Sequence, residues 1–201
     1  MRLPEEYERL DIPSPDFGFP TKNAETYGFN NGAYSAIILK CIVPSQVAMP
    51  FDDPQTVIDS LHESMADNAG LIEVNNGTTR DGNRYVYFII KHSMTDGSFS
   101  RGNEYSMNLN MESPDGIYFI NSSFAEEGIT GMRDSIVYEL FAREHPDRKD
   151  PFEGWSCDPY DPDFKEGFLM NFSEQGRFDE AFPDHPLSKA REFVRYIADN
   201  N

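Results

Sequence analysis

The sequence predicts an α+β fold, in which helices pack on a mostly antiparallel sheet. Two turn signals, Asp81-Gly82 and SPDG at 113–116, each separate a pair of apolar runs of strand length. Three further stretches have the apolar spacing of helices. The 201 residues are predicted to form a single domain, with an extended N-terminal arm at 1–32, an α+β core at 33–143 and an acidic, aromatic-rich segment at 144–201 that ends in a helix.

Residues 1–32 are rich in proline, glycine and turn-forming residues, which predicts an extended arm. Phe17, Phe19 and Tyr27 are expected to attach this arm to the body of the protein. The next stretch, AYSAIILKCIV, is apolar on both faces of a strand and predicts an interior, covered position. Cys41 within it is interpreted as a small core residue.

The stretch FDDPQTVIDSLHESMADNAG predicts the first helix. Asp53 can accept hydrogen bonds from unpaired backbone N–H groups at the start, and Pro54 suits the first helical position. Gly70 is expected to end the helix. Its apolar stripe comprises Val57, Ile58, Leu61 and Met65.

A four-stranded meander is predicted next, from LIEVNNGTT, RYVYFIIKH, EYSMNLNM and IYFINSSF. The third strand alternates apolar and polar residues between Tyr105 and Met111, which is typical of a half-buried strand with one wet face. A second helix is predicted at 131–143 with Thr130 as its N-cap. Its inner stripe is expected to comprise Met132, Ile136, Val137 and Leu140.

The last helix is predicted to start near Ser188, shortly after Pro186. Its inward-facing residues are expected to be Ala190, Phe193, Val194 and Ile197.

The helix PQTVIDSLHESMADNAG leading into GLIEV, followed by hairpin strands that a helix closes, resembles the PsbP-like superfamily of α/β/α sandwiches. The resemblance covers residues 33–143 and depends on the order of the elements. That superfamily includes a photosystem accessory subunit and a Ran-binding nuclear import factor, and its members act by binding partners. The resemblance therefore implies a binding role without a shared set of catalytic residues. The acidic segment departs from the pattern, so the identity of a partner does not carry over.

The balance of 17 basic against 35 acidic residues gives a net charge of -18. This charge disfavours nucleic acids and anionic membrane surfaces as partners, because both are negatively charged. Basic proteins remain electrostatically compatible, although the charge also fits a role in solubility alone. The N-terminal stretch MRLPEEYERLDIPSP has no apolar run, which predicts no signal peptide and no membrane span, and hence a cytoplasmic protein.

Known catalytic and cofactor signatures are absent from the sequence, so no catalytic residue, metal or cofactor is predicted and an enzyme is disfavoured. The cysteines, Cys41 and Cys157, have neither metal nor disulfide spacing. The four histidines are scattered, without a pair at i, i+4 spacing. A small hydrolase assembled from distant histidines and acids stays open as the alternative function. The four histidines are His62, His92, His145 and His185.

The stretch CDPYDPDFKEGF carries four acids and could be a calcium loop, a catalytic site around Cys157 or a stiff acidic surface. Pro159 and Pro162 restrict the backbone toward extended conformations, which opposes wrapping around an ion and favours the surface interpretation.

Aromatic residues punctuate the acidic segment, and they either staple it to the body or remain exposed as anchors. In the second case the segment would contact a basic protein partner, with aromatic anchors and steering acids. An aromatic face that makes a homodimer is a third possibility, and the oligomeric state stays open. The candidate partner-binding residues are Trp155, Asp158, Tyr160, Asp161, Asp163 and Glu166.

Overall fold

The computed structural model describes the whole chain except Ser14, Phe17 and the pair 97–98. For 95–96 and 99–101 it describes the backbone alone. The attachment expected for Phe17 lies outside the described residues.

One antiparallel sheet of seven strands forms the centre of the fold, in the order β1-β2-β3-β7-β6-β5-β4. The strands are β1 Glu8–Leu10, β2 Lys22–Asn30, β3 Tyr34–Val43, β4 Ala69–Thr78, β5 Arg84–Asp96, β6 Phe99–Ser113 and β7 Gly116–Glu126. The helices are α1 Pro54–Glu63, α2 Met132–Glu144 and α3 Pro186–Asn200. Short 3₁₀ turns span Ser45–Val47, Phe172–Glu174 and Gly176–Ala181. The prediction of an α+β fold with helices packed on an antiparallel sheet is confirmed.

The predicted extended arm contains two strands, β1 and β2, which were not identified from the sequence. β2 pairs with β3 from Lys22 to Asn30, and β1 pairs with β2. The residues of β2 have weak strand propensity and lie among turn-forming residues, so the sequence did not indicate a strand there. β2 is stabilised by pairing with the apolar strand β3. Phe19 contacts Phe119 edge-on at 6.1 Å between ring centroids, and Tyr27 packs against the main core, as expected.

α3 covers one face of the sheet and forms the larger core. Ala190, Phe193, Val194 and Ile197 are all buried there, so the predicted inner stripe of the last helix is confirmed. They meet alternate side chains of the central strands, among them Met107 of β6.

α1 covers part of the opposite face, over β4 and β5. Val57 and Ile58 are buried in this smaller core with Leu61 packed at its border, which confirms these three residues of the predicted stripe. Met65 also packs there, but it lies beyond the end of α1 at Glu63. The Asp53 carboxylate accepts the backbone N–H of Thr56 at 3.2 Å, as expected for an N-cap.

Cys41 of β3 is buried, as expected for a small core residue, and burial raises the pKa of its thiol.

α2 has a different inner face from the one predicted. Arg133, Val137 and Phe141 are buried, whereas Met132, Ile136 and Leu140 are exposed. Thr130 does not cap the helix, because the N-cap is Gly131, at a φ of 70° that favours glycine. The buried face of α2 packs on the segment around Phe172 rather than on the sheet. Of the predicted stripe, Val137 is on the buried side as expected, and the other three residues lie on the exposed side.

No helix among the described residues is long and apolar enough to cross a membrane.

Candidate binding surfaces

Residues 160–168 contact β4, which is the last strand of the sheet and would otherwise leave its outer edge open. The Phe168 N–H donates to the Ala69 carbonyl at 2.7 Å. At Gly70 the two segments lie so close together that a Cβ on residue 70 would be 1.7 Å from the Phe168 carbonyl oxygen. Gly70 therefore permits this contact. The expectation that Gly70 ends the first helix is wrong, because α1 ends at Glu63.

Tyr160 completes the cover of β4. Its hydroxyl accepts the backbone N–H of Val74 at 2.6 Å and donates to the carbonyl of the same residue at 3.0 Å. An edge strand has such unpaired groups on every second residue, and they can recruit a strand from another chain. Tyr160 thus pairs the edge groups of Val74 within the protein, although part of the Tyr160 ring remains exposed.

Asp158 is buried and ties the segment to α1. One carboxylate oxygen lies 3.0 Å from Nε2 of His62, and the other accepts the backbone N–H groups of Tyr160 and Asp161, each at 2.9 Å. The His62 ring stacks on Phe164 at 4.2 Å. Asp158 was expected on the surface, but its charge is engaged inside the protein. Sequence spacing gave no sign of this pair, whose members are 96 residues apart.

Trp155 belongs to an aromatic cluster between the acidic segment and α2. Its ring lies 5.2 Å from both Tyr138 and Phe141 and 6.2 Å from Phe172. These ring contacts attach the acidic segment to α2. Phe152 at the border of the cluster is 64% exposed, so it remains available as an anchor.

Asp161, Asp163 and Glu166 are exposed, and we call them the acidic strip. None of the three forms an ion pair with a side chain that the structure describes. The backbone from Asp161 to Asp163 is held in place, because the Asp161 carboxylate accepts the N–H of Asp163 at 2.9 Å. The strip is therefore a row of exposed carboxylates that form no ion pair within the described structure, and Lys165 between Asp163 and Glu166 bonds instead to the Pro162 carbonyl.

A buried ionic group, which sequence reasoning missed, lies between the sheet and the acidic segment. Nζ of Lys91 donates to Glu174 at 2.8 Å, and both side chains are almost fully buried. The other oxygen of Glu174 accepts the Tyr105 hydroxyl at 2.9 Å, and burial raises the pKa of that phenol. Lys91 also lies 4.0 Å from the centre of the Phe168 ring. Since every charge is paired and enclosed, we interpret this group as structural.

A second buried ionic group joins α2, α3 and the same segment. The Arg133 guanidinium donates to the Ser173 carbonyl at 2.8 Å, to Ser188 at 2.9 Å and to Asp179 at 3.1 Å. Asp179 also accepts from Arg191 at 3.0 Å. These bonds explain why the charged Arg133 lies on the inner face of α2 together with Val137 and Phe141.

A cavity of about 470 Å³ opens beside the start of α2, and we call it the α2 cavity. Nε2 of His185 lies 3.5 Å from Glu126 in its wall, while Nδ1 accepts the N–H of Leu187 and thereby caps α3. Burial opposes ionisation of Glu126, but hydrogen bonds from His185 and from the N–H groups of Asn103 and Gly131 hold its pKa below the usual range. The walls are thus preformed.

A larger depression of about 900 Å³ lies near the turn between β6 and β7. Its polar residues, Lys22, Glu112 and Asp115, are at least partly exposed, and Glu112 pairs with Arg84 at the surface. We therefore regard it as a surface groove between hairpins.

No group of three or more histidine, cysteine or acidic side chains within the described part of the chain is arranged to hold a metal ion.

Comparisons with known proteins identify no family. No family model matches the chain, and no curated protein matches it. One solved structure that is similar in part is a protein of unknown function, PA94, from Pseudomonas aeruginosa. The two share 13% sequence identity with a TM-score of 0.39, over 72% of this chain and 95% of the other. A likeness of this size does not indicate function, and the resemblance to the PsbP-like superfamily stays a prediction.

Replacing Tyr160 by phenylalanine is expected to destabilise the protein by about 1–3 kcal/mol, because it leaves both backbone groups of Val74 without the hydroxyl. The opened edge should also promote self-association. Urea denaturation and light scattering measure the two effects. Tyr138→Phe is a matched control, since that hydroxyl bonds to an exposed loop carbonyl. Equal stability of the two variants would show that Tyr160 does not protect β4.

Proposed function

We propose that this protein is a non-enzymatic binding or accessory protein of the cytoplasm that contacts a basic protein partner through its acidic segment. The acidic strip would steer and orient the partner, and the exposed rings of Phe152 and Tyr160 would add apolar contacts. The observation that carries the proposal is that Asp161, Asp163 and Glu166 are exposed without an ion pair to a described side chain, with Asp161 and Asp163 on a hydrogen-bonded turn. The mode of action implied by the PsbP-like resemblance agrees with it.

Rigidity of the strip supports this proposal. A flexible acidic loop would lose conformational freedom on binding, which lowers affinity. Here the buried carboxylate of Asp158 accepts the N–H of Asp161, and the hydroxyl of Tyr160 bonds to β4 just before it, so the loop is held at the strip's first residue. We therefore narrow the contact residues to Asp161, Asp163 and Glu166, with Tyr160 and Phe152, and assign Asp158 and Trp155 the role of holding the surface in shape.

Charge reversal of the strip tests this proposal. Asp161→Lys/Asp163→Lys is expected to abolish salt-sensitive capture of a basic protein from native cell extract, because it replaces two attractive charges with two repulsive ones. Capture at low and high salt, quantified by mass spectrometry, is the measurement. Glu5→Lys/Asp11→Lys changes the net charge equally near β1, at the opposite edge of the sheet. If both variants lost the same amount of captured protein, the effect would be due to overall charge, and the strip would not be part of the interface.

A small hydrolase is the alternative function, and the observation that favours it is the contact between His185 and Glu126 in the wall of the α2 cavity. A histidine next to a carboxylate can act as a general base, and here Nδ1 would have to release the Leu187 N–H before it could take a proton. His185→Asn preserves a capping side chain for α3. A hydrolytic activity that this variant abolishes, without a change in its unfolding midpoint, would replace the binding proposal.

A further inference from the structure

The exposed face of α2 carries apolar residues that nothing in the described structure covers. Ile129 is 80% exposed just before the helix, and Met132, Ile136 and Leu140 are 50%, 54% and 41% exposed along it. The three helical residues are spaced by four and therefore lie on one side of α2, over about 12 Å. We call these four residues the α2 surface. Single exposed apolar residues are ordinary on proteins, but a contiguous row of this kind marks interaction sites.

The α2 cavity extends this row. Ile129 and Met132 line the cavity together with Phe182 and Pro183, so its mouth lies at the N-terminal end of the α2 surface. A volume of about 470 Å³ accommodates a large apolar side chain with room to spare. Because His185 and Glu126 hold the wall in place, a side chain could enter without rearrangement of the backbone.

Acidic residues surround this apolar region. Glu127 and Asp184 line the cavity, and Glu139 is exposed on α2 between the positions of Ile136 and Leu140. None of the three acids forms an ion pair with a described side chain. Arg143 is the exposed base on this helix. The charge around the apolar row is therefore complementary to lysine and arginine.

We propose that the α2 surface and the α2 cavity dock an amphipathic helical segment of a basic protein. Its apolar side would lie along Met132, Ile136 and Leu140 with one large side chain in the cavity, and its flanking lysines or arginines would meet the surrounding acids. This surface is separate from the acidic strip, so it is a second contact site rather than a restatement of the first.

A second copy of this chain is a less suitable occupant. In a two-fold contact the same patch meets itself, which would bring Glu127, Glu139 and Asp184 of both copies to one border. Each copy would also add a net charge of -18. Like charges at a contact oppose association, whereas a basic segment meets no such repulsion.

A designed peptide tests the proposal with the full-length protein. The probe has about 15 residues, because shorter isolated helices are marginal, with leucines at i, i+3, i+4 and i+7 and lysines elsewhere. Fluorescence anisotropy of the labelled peptide measures its affinity. Ile136→Gln/Leu140→Gln should weaken binding roughly 10- to 100-fold, since two apolar contacts are lost. Both residues are exposed, so folding should be retained, and circular dichroism verifies it.

Three controls separate the proposal from nonspecific attraction. Ile37→Gln removes a comparably exposed isoleucine, 53% exposed on β3, and should leave the affinity unchanged. Asp161→Lys/Asp163→Lys alters the acidic strip and should weaken binding only through net charge, by far less than the α2 variant. A peptide with glutamate in place of lysine and the same leucines should bind much more weakly.

Several outcomes would overturn the proposal. Equal effects of the α2 and Ile37 variants, or equal affinity for the glutamate peptide, would show that the α2 surface does not select a basic amphipathic helix. Equal effects of the α2 and strip variants would point to bulk charge. A wild-type dimer in sedimentation velocity that Ile136→Gln/Leu140→Gln dissociates would make a second copy the occupant. Because the strip variant is tested separately against extract, failure here leaves the proposed function standing.

Discussion

Replacing Lys91 by methionine is expected to destabilise the folded protein by about 3–5 kcal/mol, because it leaves the buried Glu174 carboxylate without its counter-charge. Methionine has a similar length, so little cavity arises and the loss is mainly electrostatic. Glu174 keeps hydrogen bonds from Tyr105 and from the Asn171 N–H, but these do not neutralise its charge. Urea denaturation measures the change in the free energy of unfolding.

The double variant Lys91→Met/Glu174→Gln separates the pair from the packing around it. Neutralising both partners removes the uncompensated charge, and the amide of glutamine can still accept a hydrogen bond. We therefore expect the double variant to be more stable than Lys91→Met alone, as is typical of buried ion pairs. If adding Glu174→Gln to Lys91→Met made the protein still less stable, our account of Glu174 as a charge stranded by the first substitution would fail.

A loss of similar size, about 3–5 kcal/mol, is expected for Arg133→Met. The substitution leaves the Ser173 and Gln175 carbonyls and part of the Asp179 carboxylate without their donor. Arg133→Lys should recover little of this stability, because an ammonium cannot reproduce the planar fork of the guanidinium.

Arg143→Met is the matched control for Arg133, since Arg143 is exposed on the same helix and should change stability by less than about 0.5 kcal/mol. Hydrogen exchange adds spatial detail to the urea measurement. In Arg133→Met, the amides of the 3₁₀ turns at Phe172–Glu174 and Gly176–Ala181 should exchange faster, because Arg133 holds this segment against α2. Unchanged exchange there would mean that Asp179 and Arg191 fix the segment without Arg133.

Local patterns were sufficient to predict the elements that bury one apolar face. The stripes of α1 and α3, the N-cap at Asp53 and the α+β class follow from periodicity and turn chemistry. β2 was hidden because its residues are weak strand formers and depend on pairing with β3.

The inner face of α2 could not be read from spacing alone. Arg133, Val137 and Phe141 are spaced by four just as the apolar row is, but a charged residue is ordinarily assigned to the surface. Arg133 is buried because residues 173–188 supply hydrogen-bond acceptors for its guanidinium. The sequence of α2 itself contains no sign of these acceptors. The same limit hid the contact of His62 with Asp158. Buried polar pairs between distant segments are the part of this site that a single sequence does not encode locally.

The cover of β4 by residues 160–168 has a consequence for biosynthesis. The hairpins from β4 to β7 are made of neighbouring stretches and can form as soon as they leave the ribosome. Tyr160 is 86 residues beyond Val74 and is synthesised many seconds later, at translation rates of about 5–20 residues per second. During that interval the nascent sheet presents an open strand to every other chain in its vicinity. Chaperone protection of this one edge should therefore matter more to the yield of the protein than protection of its core.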